Sequence, residues 1–274
     1  MPTNAGPLDL PASLRIGPET FGVCLAGQGL AESSAPHFAA APSQSVSILE
    51  MANDPPPWPV VQYSDWGPEG GTAHCNKYSV QFWTASRQLE WRWPIRTGHF
   101  RAALWELSVL ASSQVLALAA GGVLLHGAAL VVDGQAIVVS GPSGAGKSTL
   151  CSRFPGRYLH DDIVALVPNS ASPSGWCAWS QDGWRPPSAV LPEWVPLQRL
   201  ALFSSDRSRT TLCHSPPADA LAELAAQTYF AGGAATQSLL ANLGALVTDV
   251  PIFRFSHSLA DSAEHVEQVL RRTL

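Results

Sequence analysis

The stretch that most constrains this chain is Gly141-Pro142-Ser143-Gly144-Ala145-Gly146-Lys147-Ser148, followed by Thr149. It reads G-x-x-x-x-G-K-[ST], the phosphate-binding loop that joins a strand to a helix. The segment before it, Ala136-Ile137-Val138-Val139-Ser140, is apolar and β-branched, as a buried strand is. A helix is expected from near Lys147 through Leu150 and Cys151 toward Pro155. The glycines let the backbone wrap closely and turn its N–H groups inward toward phosphate oxygens. The helix N-terminus adds a positive partial charge at the same point. Lys147 is placed to reach the outer phosphates, and the Ser148 hydroxyl is suited to ligate Mg²⁺. The bare pattern arises by chance about once in a hundred chains of this length. The strand before it makes accident rarer still, so residues 141–149 are read as a nucleotide site.

The 274 residues allow one large domain or two smaller ones, with enough chain to bury a core. Sixteen basic against 21 acidic side chains, and no basic run, argue against nucleic acid as a partner. Cys24, Cys75, Cys151, Cys177 and Cys213 are an odd, scattered set without a C-x-x-C pair. That argues against a disulfide framework or a zinc ribbon and fits reduced thiols in the cytoplasm. Met1 to Gly6 lacks the charged and apolar regions of a signal peptide. Leu107 to Val132 carries no charged residue, but Ser112-Ser113-Gln114, Gly121-Gly122 and His126-Gly127 interrupt it. It is read as a buried helix, a Gly-Gly stop and a buried strand rather than a membrane span.

Two regions are expected. Residues 1–97 form an N-terminal antiparallel β-rich region, and residues 98–274 form a phosphate-loop domain of the α/β class. In the first, Phe21 to Leu25, Val46 to Leu49, Pro59 to Tyr63, Tyr78 to Trp83 and Leu89 to Trp93 read as short strands between Pro/Gly/Asp clusters. Trp58, Trp66, Trp83, Trp91 and Trp93 are read as packing that sheet. In the second, His99 to Ala120 reads as a buried helix and Leu124 to Val132 as a strand. Asp133-Gly134 then turns the chain back as a hairpin into the loop strand. His126 therefore lies on the neighbour of that strand. Beyond the loop, Tyr158 to His160, Ile163 to Val167, Trp176 to Trp184, Val195 to Phe203 and Ile252 to Phe255 are extended. Ser215-Pro216 opens one helix, Ala235 to Val247 is another, and Asp261-Ser262-Ala263-Glu264 caps the last.

Phosphoryl transfer needs phosphate positioning, Mg²⁺, and a group that orients or deprotonates the acceptor. Asp161 and Asp162 are candidates for the last two roles. Adjacent residues of an extended segment point to opposite sides, so the pair need not act together. Taken alone, the pair is equally an exposed acidic turn or a helix cap, and His126 alone is more readily a satisfied core histidine. Arg185, Arg199, Arg207, Arg209 and Arg254 are candidates to clamp phosphate, with surface or structural roles the favoured reading for each.

The order His strand, Asp-Gly hairpin, phosphate loop, short helix, Asp-Asp resembles the catalytic domain of the HPr kinase/phosphorylase family. The matching blocks are Leu125-His126-Gly127-Ala128, Gly141 to Leu150, and Asp161-Asp162. The resemblance covers about residues 120 to 230. It implies the HPr kinase C-terminal, phosphoenolpyruvate-carboxykinase-like phosphate-loop fold. It also implies ATP and Mg²⁺, and transfer to a serine or threonine hydroxyl of a peptide or protein. Carried over, Asp161 is the general base, His126 lies beside the phosphates and supports the acidic pair, and Asp162 assists with metal. Family members are hexamers, which leaves a homo-oligomer open. The chain departs from the family twice. Thr149 stands where the family has an acidic metal ligand, and Trp176 to Pro187 stands where it has a glycine-rich signature. HPr itself is therefore not the expected acceptor. A nucleotide-dependent switch or hydrolase, and a binding module without catalysis, are the alternatives.

Overall fold

The computed structural model describes residues 13–16, 19–26, 61–67, 69–75, 78–83, 88–92, 114, 117–118, 120–179, 192, 194–204, 206–228, 230–233 and 235–272. The chain divides into two compact units. The first comprises Met1–Arg15, Thr20–Ser112 and Ala231–Ala234. Its strands are β1 (Ser13–Ile16), β2 (Glu19–Ala26), β3 (Val61–Gly67), β4 (Gly70–Cys75), β5 (Tyr78–Trp83), β6 (Gln88–Arg92) and β14 (Phe230–Gly233). They form one sheet in the order β1-β2-β6-β5-β4-β3-β14.

Strands β3 to β6 are antiparallel, as the alternating sequence and its turn clusters lead one to expect. The purely antiparallel expectation fails at β2, which runs parallel to β6. A parallel pair needs a crossover connection, and the long chain between these strands allows one. Strand β4 is also unanticipated, because its Gly-rich start reads as a turn. The expected strand at 46–49 lies outside the described residues, as do the side chains of the five tryptophans. So does most of the expected helix at 99–120, of which Gln114, Ala117 and Leu118 are helical.

The second unit comprises Ile16–Glu19, Ser113–Phe230 and Ala235–Leu274. Its strands are β7 (Val123–Val132), β8 (Gln135–Ser140), β9 (Tyr158–His160), β10 (Ile163–Pro168), β11 (Trp176–Trp179), β12 (Trp194–Phe203), β13 (Thr211–His214) and β15 (Ile252–Ser256). Its helices are α1 (Lys147–Ser152), α2 (Pro217–Ala226), α3 (Thr236–Asp249) and α4 (Ala263–Arg271). The sheet order is β11-β10-β7-β8-β12-β15-β13, with β9 on β7. The unit is thus mixed α/β, as expected. Its sheet is not open, however, because β11 pairs with both β10 and β12. Strands β11, β10, β7, β8 and β12 close into a ring, which nothing in the local sequence announces.

The β7–β8 turn is built as expected. Asp133 at φ 52° and Gly134 at φ 75° are both left-handed, which matches the twist of a two-residue hairpin. Alternation then sorts the side chains. Leu125, Val138, Val164, Leu166 and Leu200, all fully buried, point inside the ring. Leu130, Ile137, Val139, Ala201, Phe203 and Phe255 point outward. There they pack against Leu150, Cys151 and Phe154 of α1 and its end, and against Val266, Val269 and Leu270 of α4. Each such side chain stabilises the unit by roughly 1.5–3 kcal/mol relative to exposure. That core fixes α1, and with it the phosphate loop, over the sheet.

Two helix starts sit one residue beyond their expected caps. Helix α2 begins at Pro217 with Pro216 at the cap position, and the Ser215 hydroxyl is buried without a hydrogen-bond partner among the described residues. The Ser215 N–H instead donates to Ile252 O, 2.9 Å away, which draws the residue into the strand edge. At α4 the cap is Ser262, whose hydroxyl accepts from His265 N. Asp261 is taken by the Thr210 N–H at 3.0 Å.

A carboxylate ties α4 to the rest of the unit. Glu267 accepts two bonds from Arg157, at 3.0 and 2.7 Å, and one from Arg271 at 2.7 Å. Arg271 also pairs with Asp133 of the hairpin at 2.9 Å. The bond from Arg157 holds the Glu267 carboxyl below its usual range. A carboxylate depressed in the folded state stabilises above its unfolded pKa, and that stability is lost as pH falls through the folded pKa. Glu267→Gln is therefore expected to cost about 1 kcal/mol at pH 7, and nothing once the wild-type carboxyl is protonated. Urea unfolding of both proteins at pH 7 and over a descending pH series, in which the difference is expected to vanish, checks this.

Candidate functional site

The phosphate loop leaves β8 at its carboxyl end, bordered by β7 on one side and β12 on the other. Gly144 at φ 76° and Gly146 at φ 106° take the left-handed conformations that the loop requires. Gly141 serves close approach instead, since a Cβ there would lie 2.7 Å from Cβ of Phe203. The ring of Phe203 continues beneath Gly146, so this β12 residue is the floor of the loop. Helix α1 is short, ending at the Arg153 cap.

Lys147 is only 5% exposed. Its Nζ donates to the carbonyl oxygens of Gly141, at 2.7 Å, and Pro142, at 3.0 Å. These bonds hold the ammonium within the loop. Burial pulls its pKa below the ordinary lysine value, while the Asp162 carboxylate works against that shift. Ser148 and Thr149 are exposed beside it.

His126 and the acidic pair meet at the same edge. His126 lies opposite Ile163 in the β7–β10 ladder, which brings the turn before β10 to the histidine. His126 Nε2 is 3.2 Å from Asp162 Oδ1. The Asp162 carbonyl accepts from Gly127 N at 2.8 Å. The Ser140 hydroxyl, one residue before the loop, donates to His126 O at 2.9 Å. Hydrogen bonding from His126, then the charge of Lys147, holds the Asp162 carboxyl below the usual carboxylate range. Asp161 is half-buried, and its charge acts on His160, Tyr158 and Cys151.

His160 belongs to this turn as well, and no motif singles it out. Its Nδ1 accepts from the N–H groups of Asp162 (3.1 Å) and Ile163 (2.9 Å). A ring nitrogen that accepts twice carries no proton, so the ring is held neutral. Burial lowers its pKa in the same direction. The His-Asp-Asp order was visible, but only the fold shows the histidine organising the backbone behind it.

The five arginines separate. Arg199 is buried and donates to Arg272 O at 2.7 Å, a structural role. Arg209 is exposed, and Arg185 lies outside the described residues. Arg207 reaches the loop itself, donating to Gly144 O at 2.9 Å and Ala145 O at 3.3 Å. Arg254 forms a two-pronged pair with Glu223 of α2. The Cys151 thiol is buried, and burial raises its pKa, so it is not a poised nucleophile.

No cluster of three or more His, Cys, Asp and Glu able to hold a metal occurs among the described residues. Hard oxygen donors here include the exposed Ser148 hydroxyl of the loop and the Asp162 carboxylate, whose charge reaches Lys147. That set suits Mg²⁺, which takes one or two protein oxygens and completes its shell with phosphates and water. No helix among the described residues is long and apolar enough to cross a membrane.

The sequence model of the family described as SynChlorMet cassette protein ScmC matches residues 104–271 of the chain. Curated proteins gave no match. Among solved structures, the Hpr(Ser) kinase/phosphatase from Coxiella burnetii is similar at 10% identity and a TM-score of 0.33. The match covers 54% of this chain and 93% of that one.

Proposed function

We propose that this chain, which belongs to the family described as SynChlorMet cassette protein ScmC, is a cytoplasmic ATP- and Mg²⁺-dependent kinase acting on a serine or threonine hydroxyl of a peptide or protein. Its scaffold in this reading is the HPr kinase C-terminal, phosphoenolpyruvate-carboxykinase-like phosphate-loop fold. The observation that carries the reading is the His126–Asp162 pair, 3.2 Å apart at the sheet edge from which the phosphate loop departs.

The roles follow from chemistry. The loop N–H groups and Lys147 hold the β- and γ-phosphates. Ser148 and Asp162 would hold the Mg²⁺ that neutralises charge on those phosphates. A carboxylate whose pKa is lowered by a histidine is a better cation ligand and a weaker proton acceptor. The base is therefore assigned to Asp161. In the transfer, the acceptor oxygen bonds to the γ-phosphorus and its proton passes to the Asp161 carboxylate. The bond from the γ-phosphorus to the bridging oxygen breaks, and its electron pair leaves with ADP.

The test incubates the protein with γ-labelled ATP and Mg²⁺ in a lysate of the source cells, comparing wild type with Asp161→Asn. A labelled peptide or protein that requires Asp161 is the expected result and identifies the acceptor. Label found only as free phosphate from purified wild type would replace the kinase with a hydrolase. Bound nucleotide without turnover would leave a binding module.

A further inference from the structure

We infer that Arg207 is a positioning residue of the phosphate loop: it holds the loop tip from outside in the shape that receives phosphate, without itself contacting the phosphate. This rests on the phosphate-loop reading above. One guanidinium nitrogen, Nη2, donates to Gly144 O at 2.9 Å and to Ala145 O at 3.3 Å. A peptide group is planar, and in the trans form its C=O and N–H point in opposite directions. A carbonyl pinned outward therefore turns the N–H of the next residue inward. Arg207 sets the Ala145 N–H through the Gly144 carbonyl and the Gly146 N–H through the Ala145 carbonyl. Inward N–H groups are what such a loop offers an anion.

The tip needs such a hold because the other ties act at the root of the loop. Phe203 packs beneath Gly141 and Gly146. Lys147 donates to Gly141 O and Pro142 O, but an ammonium that turns to phosphate oxygens must leave those carbonyls. Within the tip, Ala145 N donates to Pro142 O at 3.1 Å, which closes a turn without attaching it to another element. Pro142, Ser143 and Gly144 are exposed. A Cβ at Gly144 would meet no atom within 4 Å, so packing does not support the backbone there. Gly144 is also the residue type with the widest conformational freedom. Arg207 bonds the outward face, so its hold persists while the inward face is occupied.

Arg207 is itself presented by a fixed turn. Ser204 N donates to Phe255 O at 2.7 Å, which ties the start of the turn to β15. The Ser204 hydroxyl accepts from Asp206 N at 3.2 Å, and Asp206 Oδ1 accepts from Ser208 N at 2.9 Å. A side chain carried on a pre-shaped turn has less freedom to lose when it makes its contact. The same flank holds the end of α1, where Arg153 donates to Asp261 O at 2.6 Å and to Leu259 O at 2.5 Å. The bond from Thr210 N to the Asp261 carboxylate, 3.0 Å, joins the two turns. The loop tip and the far end of its helix are thus anchored to one hydrogen-bonded unit.

The test compares wild type, Arg207→Ala and Arg207→Lys as full chains, with melting curves to verify folding. Amide nitrogen relaxation is measured without nucleotide, and ADP binding by calorimetry. In Arg207→Ala the order parameters of Ala145 and Gly146 are expected to fall from about 0.85 to below about 0.6, while those of β8 and β12 hold. ADP is expected to bind about tenfold more weakly, since the loop must then be ordered on binding. Both bonds come from one nitrogen, so the ammonium of Arg207→Lys, of similar reach, is expected to restore most of both readouts. Weaker ADP with an unchanged loop would make Arg207 a direct phosphate contact and overturn the inference. A looser loop with wild-type ADP affinity would overturn it too, as would loosening spread through the whole sheet. Each of these leaves the phosphate-loop reading standing, whereas a wild type that binds no ADP would overturn both.

Discussion

Lys147→Ala is expected to lower affinity for Mg²⁺-bound ATP about a hundredfold, with little loss of stability. The wild-type ammonium is almost fully covered, and burial has already pulled its pKa below the ordinary value. A cation in that position costs the unliganded fold something, and two loop carbonyls, Gly141 O and Pro142 O, offset part of the cost. Truncation removes the desolvated charge along with those bonds, and the freed carbonyls lie at a loop where water can reach them. The stability change should therefore stay within about 1 kcal/mol. The nucleotide loses more, because a buried, pre-positioned cation meets anionic oxygens at low local dielectric. Calorimetry on both proteins gives the affinity ratio, and melting curves without nucleotide give the stability. An unchanged affinity would mean that the loop does not hold phosphates, whatever its sequence.

The parts of this site that could be read from sequence are those encoded locally. The loop is one contiguous motif, and its strand and short helix follow from the residues on either side. Asp133-Gly134 gives the hairpin because two left-handed residues in a row satisfy one turn. That hairpin alone places His126 next to the loop strand. What escaped reading depends on distant partners. The ring closes because β11 finds β12, and Pro196 sits within that ladder opposite Cys177 despite lacking an N–H. Phe203 becomes the floor of the loop through a contact with Gly141 across the sheet. Arg207 meets Gly144 over 63 positions of sequence. The cap shifts share this cause. Asp261 and Ser215 are both good caps by local rule, but the Asp261 carboxylate accepts from the Thr210 N–H, and the Ser215 N–H donates to Ile252 O at the start of β15, which holds that residue in the strand edge. Local preference yields where the backbone pairing of another element holds the residue elsewhere.

Asp161→Asn is expected to lower phosphoryl transfer by about 10²- to 10⁴-fold, the range for losing a positioned general base, while ATP affinity stays within about twofold of wild type. The two neighbouring carboxylates differ in what surrounds them, and their expected losses differ accordingly. Asp162 is held ionised by His126 and sits in the field of Lys147, so its amide variant should impair Mg²⁺-dependent nucleotide binding as well as turnover. Asp161 has no such tie to the loop lysine. Its replacement should leave the bound nucleotide undisturbed and remove only the step in which the acceptor proton departs. Single-turnover transfer, measured beside equilibrium binding for both variants, separates the roles. Equal binding losses in the two would make the pair one electrostatic unit. Turnover retained by Asp161→Asn and lost in Asp162→Asn would exchange the assignments, with the carboxylate beside His126 then accepting the proton.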